Sequence, residues 1–218
     1  LKKISFKKAI FFSGSVERSI KLSKKKGAKC FLIRGSSHIL EVKKILEAEK
    51  NKTKINIQLP YPELIKREQK EYLLSDRIFV HSKFALNSFK NRGIKKNKLS
   101  LLPIGLDKKI KTKRKTKKKI KNILYLGQIT PRKGILYLLE AFESLNLKNV
   151  NLFIAGPAQK EMKKYLIDYC ERNKNIQYFC KVSLAEKNKL FKKSDIFCLP
   201  TLEDGFAKVI IEAIEYQN

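Results

Sequence analysis

The chain contains no tryptophan, one methionine and two histidines, and acidic residues account for only 20 of its 218 positions. It has no run of about 18 apolar residues and no signal-peptide pattern, so the sequence predicts no membrane-spanning helix. Three of the four cysteines lie in or beside apolar runs, without metal-ligand spacing. We therefore expect buried free thiols rather than disulfides or zinc ligands, as in a reducing cytoplasm. The cysteines are Cys30, Cys170, Cys180 and Cys198.

Lysine and arginine together number 50, which gives a formal net charge of +30. A charge of this size invites a nucleic-acid interpretation. Lysine is nevertheless spread over the whole chain rather than gathered in one stripe, and the aromatic residues are mostly phenylalanines within apolar strand patterns. This bias is expected of an AT-rich genome, so we do not expect nucleic acid as the main partner. Attraction to anionic membrane surfaces remains an open alternative.

Short apolar runs alternate with amphipathic stretches along the chain, which favours an α/β fold with parallel sheets and helices on both faces. The segment 108–121 is almost entirely basic and has no apolar face, so we interpret it as a linker between lobes at 1–107 and 122–218. The chain begins with Leu1 and stops inside a helical pattern, so we expect both lobes to be incomplete. In the second lobe we predict strands at 122–127, 150–155, 175–180 and 195–199, and helices at 133–145, 158–173, 183–193 and 206–216.

Two turns in the second lobe gather polar residues between a strand and a helix. Arg132 and Lys133 follow the first strand and precede a helix, where free N–H groups and cations together suit a diphosphate. The alternative is that they are two more surface cations. Asp204 and Glu212 follow the last strand, and a carboxylate there can accept hydrogen bonds from the hydroxyls of a ribose. The alternative for Glu212 is a solvated helix position.

Several segments resemble family-4 glycosyltransferases of the GT-B fold. They are GQITPRKGILYLLEAF, LFIAGPA and IFCLPTLEDGFAKVIIEA in the second lobe, and SDRIFVHSKFALNSFKNRGIKKNKLSLLPIGLD in the first. The strongest element is a pair of acids separated by seven residues, here Asp204 and Glu212, with Glu203 one position too early. The resemblance covers roughly 60–218, and more weakly 5–59. It implies two Rossmann-like lobes with a cleft between them.

The resemblance also implies roles for individual residues. Lys133 matches the lysine that binds the donor diphosphate, and Glu212 matches the glutamate that holds the donor ribose. Asp204 matches the acid near the transferred sugar, and Gly205–Phe206–Ala207 matches the loop whose amides face that sugar. In the first lobe, His38 follows a strand end in a region where a histidine of the family often approaches the donor sugar. The alternative for His38 is a helix N-terminus capped by a neighbouring serine.

Three residues depart from the family pattern. Gln128 stands where the family commonly has an arginine, so one diphosphate cation is missing, and Arg132 is the candidate to replace it. Asp204 is one methylene shorter than the usual glutamate, a difference of about 1 Å at its oxygens that is large enough to matter for catalysis. Ala207 stands where a second glycine is usual, which would crowd the sugar pocket.

Together these features predict a cytoplasmic, metal-independent, retaining glycosyltransferase of the hexosyltransferase type. It would use a nucleotide diphosphate-sugar donor and a hydroxyl acceptor such as a glycan, a lipid-linked glycan or a lipopolysaccharide. We expect no cofactor, and peripheral contact with the inner face of the plasma membrane fits the charge.

Dinucleotide, P-loop and hydrolase-elbow motifs are absent from the sequence. The alternative function is a non-catalytic basic module that binds anionic surfaces. The sequence does not identify the sugar, the base or the acceptor.

Overall fold

The computed structural model describes residues 6–105 and 120–216, and the chain folds into two compact units. Unit 1 comprises Leu1–Lys50, Ile57–Gly105 and Glu203–Phe206, and unit 2 comprises Asn51–Asn56, Leu106–Leu202 and Ala207–Asn218. The basic segment that we interpret as a linker lies outside the described residues, except for its last two positions.

Unit 1 contains a four-stranded parallel sheet in the order β1-β2-β3-β4. Strand β2 is one of the two inner strands and pairs with β1 and β3. Its residue Leu32 lies opposite Phe11 in β1 and Ile78 in β3. Helices pack over the sheet and bury one apolar core, which includes Ile20 and Phe89. The strands are β1 (Lys8–Phe12), β2 (Lys29–Arg34), β3 (Arg77–Val80) and β4 (Leu99–Leu101), and the helices that begin in this unit are α1 (Glu17–Lys25), α2 (Ile39–Thr53), α3 (Pro62–Leu74) and α4 (Lys83–Lys90), with a 3-10 turn at Lys96–Lys98.

Unit 2 contains a second four-stranded parallel sheet, in the order β7-β6-β5-β8. The order reverses at β5, because the chain builds outward to β7 and then returns to place β8 on the other side. Ligands in open α/β sheets bind at such a reversal, outside the carboxyl ends of the strands. The strands are β5 (Asn122–Leu126), β6 (Asn151–Ala155), β7 (Ile176–Phe179) and β8 (Ile196–Phe197), and the helices are α5 (Ile135–Ser144), α6 (Lys160–Arg172), α7 (Leu184–Lys193) and α8 (Lys208–Glu215).

The eight elements predicted for the second lobe are present, and each is somewhat shorter than the sequence pattern indicates. In three of them the structure shows what happens at the shortened end. Helix α5 begins after Gly134 rather than at 133, because residues 131–133 form a separate 3-10 turn. Strand β8 ends at Phe197 rather than at 199, although the amide of Cys198 still donates to the carbonyl of Leu124. Helix α8 begins at Lys208 rather than at 206, because Ala207 has extended backbone angles.

The cysteines are free, as predicted, but they are less buried than expected. Only Cys30 is buried; Cys170 and Cys198 are half-buried, and Cys180 is exposed. Cys170 lies on helix α6, which buries Met162 and Leu166, and Cys180 and Cys198 lie just after the ends of β7 and β8. Proximity to an apolar run therefore overestimates burial. Within residues 6–105 and 120–216, no group of three or more histidine, cysteine or acidic side chains could hold a metal ion.

A buried carboxylate anchors the start of helix α1. Glu71 is fully buried, and its two oxygens accept hydrogen bonds of 2.7 Å from the backbone amides of Gly14 and Val16. These amides precede α1, whose N-cap residue Val16 has no side-chain cap of its own. Because first-turn amides lack partners within a helix, the carboxylate supplies acceptors that the local sequence does not.

A second buried acid lies one helical turn away from Glu71. Glu68 accepts a hydrogen bond from the hydroxyl of Tyr72 and lies 3.2 Å from the guanidinium of Arg34. Burial raises the pKa of Glu68, and the charge of Arg34 and the bond from Tyr72 oppose that rise. Helix α3 therefore joins the strand ends of unit 1 through two acids that both have partners.

We predict that Glu71→Gln lowers the free energy of unfolding by about 2–3 kcal/mol. The amide removes the charge and replaces one of the two acceptor oxygens by an NH2 group, which then faces a backbone donor. Hydrogen bonds to charged groups contribute about 1.5–3 kcal/mol each. Urea denaturation followed by circular dichroism measures the loss. Glu47→Gln is the control, since the side chain of Glu47 is 44% exposed and its i,i+4 pair with Lys43 contributes only about 0.3–0.5 kcal/mol. Equal losses in the two variants would contradict the anchoring role of Glu71.

Candidate functional site

The turn after β5 presents two cations at the carboxyl end of the strand. Pro131, Arg132 and Lys133 form a single 3-10 turn, in which the amide of Lys133 donates to Thr130 and that of Gly134 donates to Pro131. Proline fixes the backbone at the first position of this turn. Gly134 then adopts the left-handed conformation, with φ of 68°, and begins helix α5. Arg132 and Lys133 are therefore held in a defined backbone immediately before a helix N-terminus.

The segment after β8 packs directly against this turn. The carbonyl of Arg132 accepts hydrogen bonds from the amide of Leu202, at 2.9 Å, and from the hydroxyl of Thr201, at 3.3 Å. A Cβ atom added to Gly134 would lie 1.8 Å from the carbonyl oxygen of Pro200. The two backbones are thus in contact at one edge of the sheet of unit 2, as expected from the pairing of β5 with β8.

Gln128 lies at the same strand end and is exposed. Its carbonyl accepts a hydrogen bond of 2.7 Å from the hydroxyl of Tyr125. Burial raises the pKa of Tyr125, and the positive charge of Arg132 partly opposes that rise. The charge of Arg132 therefore acts on a group that contacts Gln128, the position where the resemblance implies a missing cation.

Glu212 lies on helix α8 with its side chain 38% exposed, so it is neither buried nor fully solvated. Its Oε1 atom lies 3.0 Å from the ammonium group of Lys187 on helix α7. Ala207 is buried and occupies the N-cap position of α8. Lys133, Arg132, Gln128, Ala207 and Glu212 all belong to unit 2.

Glu203 through Phe206 belong to unit 1. The Oδ1 atom of Asp204 accepts a hydrogen bond of 3.2 Å from the amide of Phe206. A glycine in this turn would be expected to supply an unusual backbone, but the φ of Gly205 is not in the left-handed region. A Cβ atom there would instead lie 2.2 Å from the carbonyl oxygen of Gly35, so glycine is needed for close contact rather than for an unusual backbone.

Glu203 is a residue whose role the sequence analysis missed. It is 1% exposed, and its Oε1 atom accepts hydrogen bonds from the hydroxyl of Ser36, at 2.6 Å, and from the amide and hydroxyl of Ser37, both at 2.9 Å. The spacing of seven residues between the two acids identifies Asp204 and does not identify its neighbour Glu203. No local pattern identifies Glu203, because its partners are 166 and 167 residues away along the chain.

His38 is buried in unit 1, with a relative exposure of 3%. Its ring centroid lies 5.0 Å from those of both Tyr72 and Phe89, and its Nδ1 atom accepts a hydrogen bond from the amide of Leu40. Burial, together with the charges of Arg92 and Arg34, lowers the pKa of His38 to about 4. The imidazole is therefore neutral at pH 7, and its catalytic role stays a prediction.

The start of helix α2 differs from the serine-capped alternative. Amides of the first turn donate hydrogen bonds to the carbonyl oxygen and to the Nδ1 atom of His38. The hydroxyls of Ser36 and Ser37 donate to Glu203 instead.

The comparisons with known proteins agree with this architecture. The family described as glycosyl transferases group 1 matches residues 107–217, half of the chain, and the chain belongs to this family. An uncharacterized glycosyltransferase, MJ1607 of Methanocaldococcus jannaschii, is 33% identical over 98 residues, which cover 43% of this chain and 25% of that protein.

Two solved structures share the fold at low sequence identity. The apo form of the lipopolysaccharide outer core galactosyltransferase WaaB has a TM-score of 0.68 and 18% identity, over 99% of this chain and 56% of that one. Anabaena Alr3699/HepE, in complex with UDP and glucose, has a TM-score of 0.66 and 12% identity, over 95% and 57%. The predicted α/β fold with two Rossmann-like lobes of the GT-B type is confirmed. The chain spans a quarter of the curated relative and somewhat more than half of these two structures.

In the part of the chain that the structure describes, every helix is too short or too polar to cross a lipid bilayer.

We predict that Gly134→Ala destabilises unit 2 by about 1–3 kcal/mol more than Gly93→Ala destabilises unit 1. Both glycines have a positive φ, of 68° and 81°, so both substitutions incur the left-handed cost of about 1–2 kcal/mol. Only at Gly134 does the new methyl group meet backbone, and overpacking adds about 1–3 kcal/mol. Urea denaturation of the two variants measures the difference. A loss at Gly134 no larger than that at Gly93 would show that the contact with Pro200 is easily relieved.

Proposed function

We propose that this chain is part of a glycosyltransferase that moves a hexosyl group from a nucleotide diphosphate-sugar to a hydroxyl acceptor. The proposal rests on the family to which the chain belongs and on one observation in unit 2: the contact between the turn of Lys133 and the segment after β8. That contact fixes two cations beside a helix N-terminus at the point where the strand order reverses. An anionic diphosphate suits such a position, because cations and free N–H groups act on it together.

In this proposal Lys133 binds the donor diphosphate and Arg132 adds a second positive charge. Gln128 cannot supply that charge, and the effect of Arg132 on Tyr125 supports its action near the same strand end. Glu212 accepts hydrogen bonds from the hydroxyls of the donor ribose. The Anabaena protein of similar fold was solved in complex with UDP and glucose, which supports a nucleotide-sugar as the class of donor.

Asp204 acts near the transferred sugar, beside the loop Gly205–Phe206–Ala207, in which the amide of Phe206 is engaged with Asp204 itself. His38 completes the predicted set. The reaction retains the anomeric configuration and uses no metal. Departure of the diphosphate leaves negative charge on its oxygens, and fixed cations lower the barrier by stabilising that charge as it develops. The acceptor is a hydroxyl of a glycan, a lipid-linked glycan or a lipopolysaccharide, and the enzyme works in the cytoplasm with peripheral contact at the membrane.

We predict that Lys133→Ala and Glu212→Ala, in the full-length protein, each weaken donor binding about 10- to 100-fold and remove most donor turnover. Each substitution removes a charge-assisted contact, which contributes about 1.5–3 kcal/mol. Calorimetry with a panel of UDP-, ADP- and GDP-sugars measures the binding. The controls are Lys163→Ala and Glu171→Ala, which remove exposed charges from helix α6 of the same unit. Unchanged binding and turnover in both site variants would reject the assignment of the site.

The net charge of +30 favours one competing function, a basic module that binds anionic surfaces. The dependence of binding on salt concentration distinguishes the two functions. Surface binding to vesicles that contain anionic lipid should collapse between low and moderate salt, because exposed charges are screened over about 10 Å at 0.1 M. Nucleotide-sugar binding at the turn of Lys133 should weaken less. Vesicle binding without any nucleotide-sugar binding would favour the basic module over the enzyme.

A further inference from the structure

Glu212 has an ion-pair partner that the family pattern does not mention. The ammonium of Lys187 lies 3.0 Å from its Oε1 atom, and the side chains are 24% and 38% exposed, respectively. The pair joins two helices of unit 2 whose residues are 25 positions apart in the chain. A carboxylate has about four lone-pair positions, so one lysine leaves it able to accept further hydrogen bonds.

Packing of the two helices does not depend on this pair. The hydroxyl of Tyr216 donates to Asn188 at 2.9 Å, and its ring stacks on Phe191 with centroids 5.0 Å apart and an interplanar angle of 5°. These contacts fix helix α7 against the end of helix α8. The ion pair is partly exposed, and such pairs contribute little to stability because water and salt screen them.

The position of Lys187 in its helix also argues against a purely local role. Ser183 and Glu186 form a capping box at the start of α7, and the amide of Lys187 donates to the carbonyl of Ser183. Lys187 is the fourth residue of α7, near the positive end of the helix dipole, where the dipole gives a cation no advantage. The interaction that favours a cation at this position of the helix is the ion pair with the carboxylate of Glu212.

We propose that Lys187 is a positioning residue for Glu212 and orders its carboxylate for the vicinal hydroxyls of the donor ribose. The inference rests on the proposed function. A glutamate side chain loses rotamer freedom when it binds a ligand, and a residue that already restrains it reduces that loss. Lys187 holds Oε1, so the carboxylate is aligned before the nucleotide arrives. Lys187 acts through Glu212 and makes no contact with the diphosphate.

The test is Lys187→Met in the full-length protein, which keeps an unbranched side chain one atom shorter and removes its charge. Calorimetry with UDP, ADP and GDP, each compared with its 2′,3′-dideoxy analogue, separates ribose binding from diphosphate binding. We expect the Kd of the ribonucleotide to rise about two- to tenfold, with the dideoxy analogue unaffected. In a Glu212→Gln background the same substitution should add nothing. Lys187→Arg should restore most of the affinity, and Lys192→Met, which changes an exposed lysine of the same helix, should match the wild type.

Each outcome decides between the two proposals. An equal rise for the ribonucleotide and its dideoxy analogue would overturn the positioning role, since Lys187 would then contact the diphosphate or support the fold. An unchanged Kd in Lys187→Met, with weakened binding in Glu212→Gln, would overturn it while leaving the proposed function intact. A Glu212→Gln variant that binds all three normally would overturn the ribose role of Glu212 and, with it, the positioning role of Lys187. A wild type that binds none of the three nucleotides would overturn the proposed function itself.

Discussion

The backbone contact between Gly134 and Pro200 is the constraint on which the candidate site in unit 2 depends. It brings the turn after β5 against the segment after β8, with no room for a side chain between them. The carbonyl of Arg132 is then within reach of the amide of Leu202, so the turn is held by hydrogen bonds as well as by packing. The backbone that carries Arg132 and Lys133 is therefore held in one conformation at the carboxyl end of β5.

Acidic residues are scarce in this chain, and several of the partly or fully buried ones organise the structure. Glu71 binds two backbone amides at the start of α1, and Glu203 binds the serines that precede α2. Glu212 pairs with Lys187 between α7 and α8. Because the chain has 50 basic residues, the loss of one surface cation is easily compensated. The loss of a buried carboxylate that accepts two or three hydrogen bonds is not. The large positive charge therefore coexists with a fold that depends on individual negative groups.

Sequence predicted the order and type of the elements well, because buried parallel strands appear as short apolar runs between amphipathic helices. It also singled out Lys133 and Glu212, since the turn and the acid spacing are local patterns. The partners of Glu71 and Glu203 could not be predicted in this way. They lie 55–57 and 166–167 residues distant in the chain, so they are set by the tertiary fold alone. The contact at Gly205 is hidden for the same reason, because it is made with Gly35.

Asp204 is the departure from the family pattern that the structure explains locally. Its Oδ1 atom accepts a hydrogen bond from the amide of Phe206, two residues ahead, which is the Asx-turn geometry that aspartate favours. A glutamate, which has one more methylene, would fit the short hydrogen-bonded ring of this turn less well. The shorter acid therefore stabilises the turn of Gly205, where contact with Gly35 already restricts the backbone. A carboxylate engaged with its own turn is oriented by that turn, so the backbone of 204–206 sets the orientation of the Asp204 carboxylate.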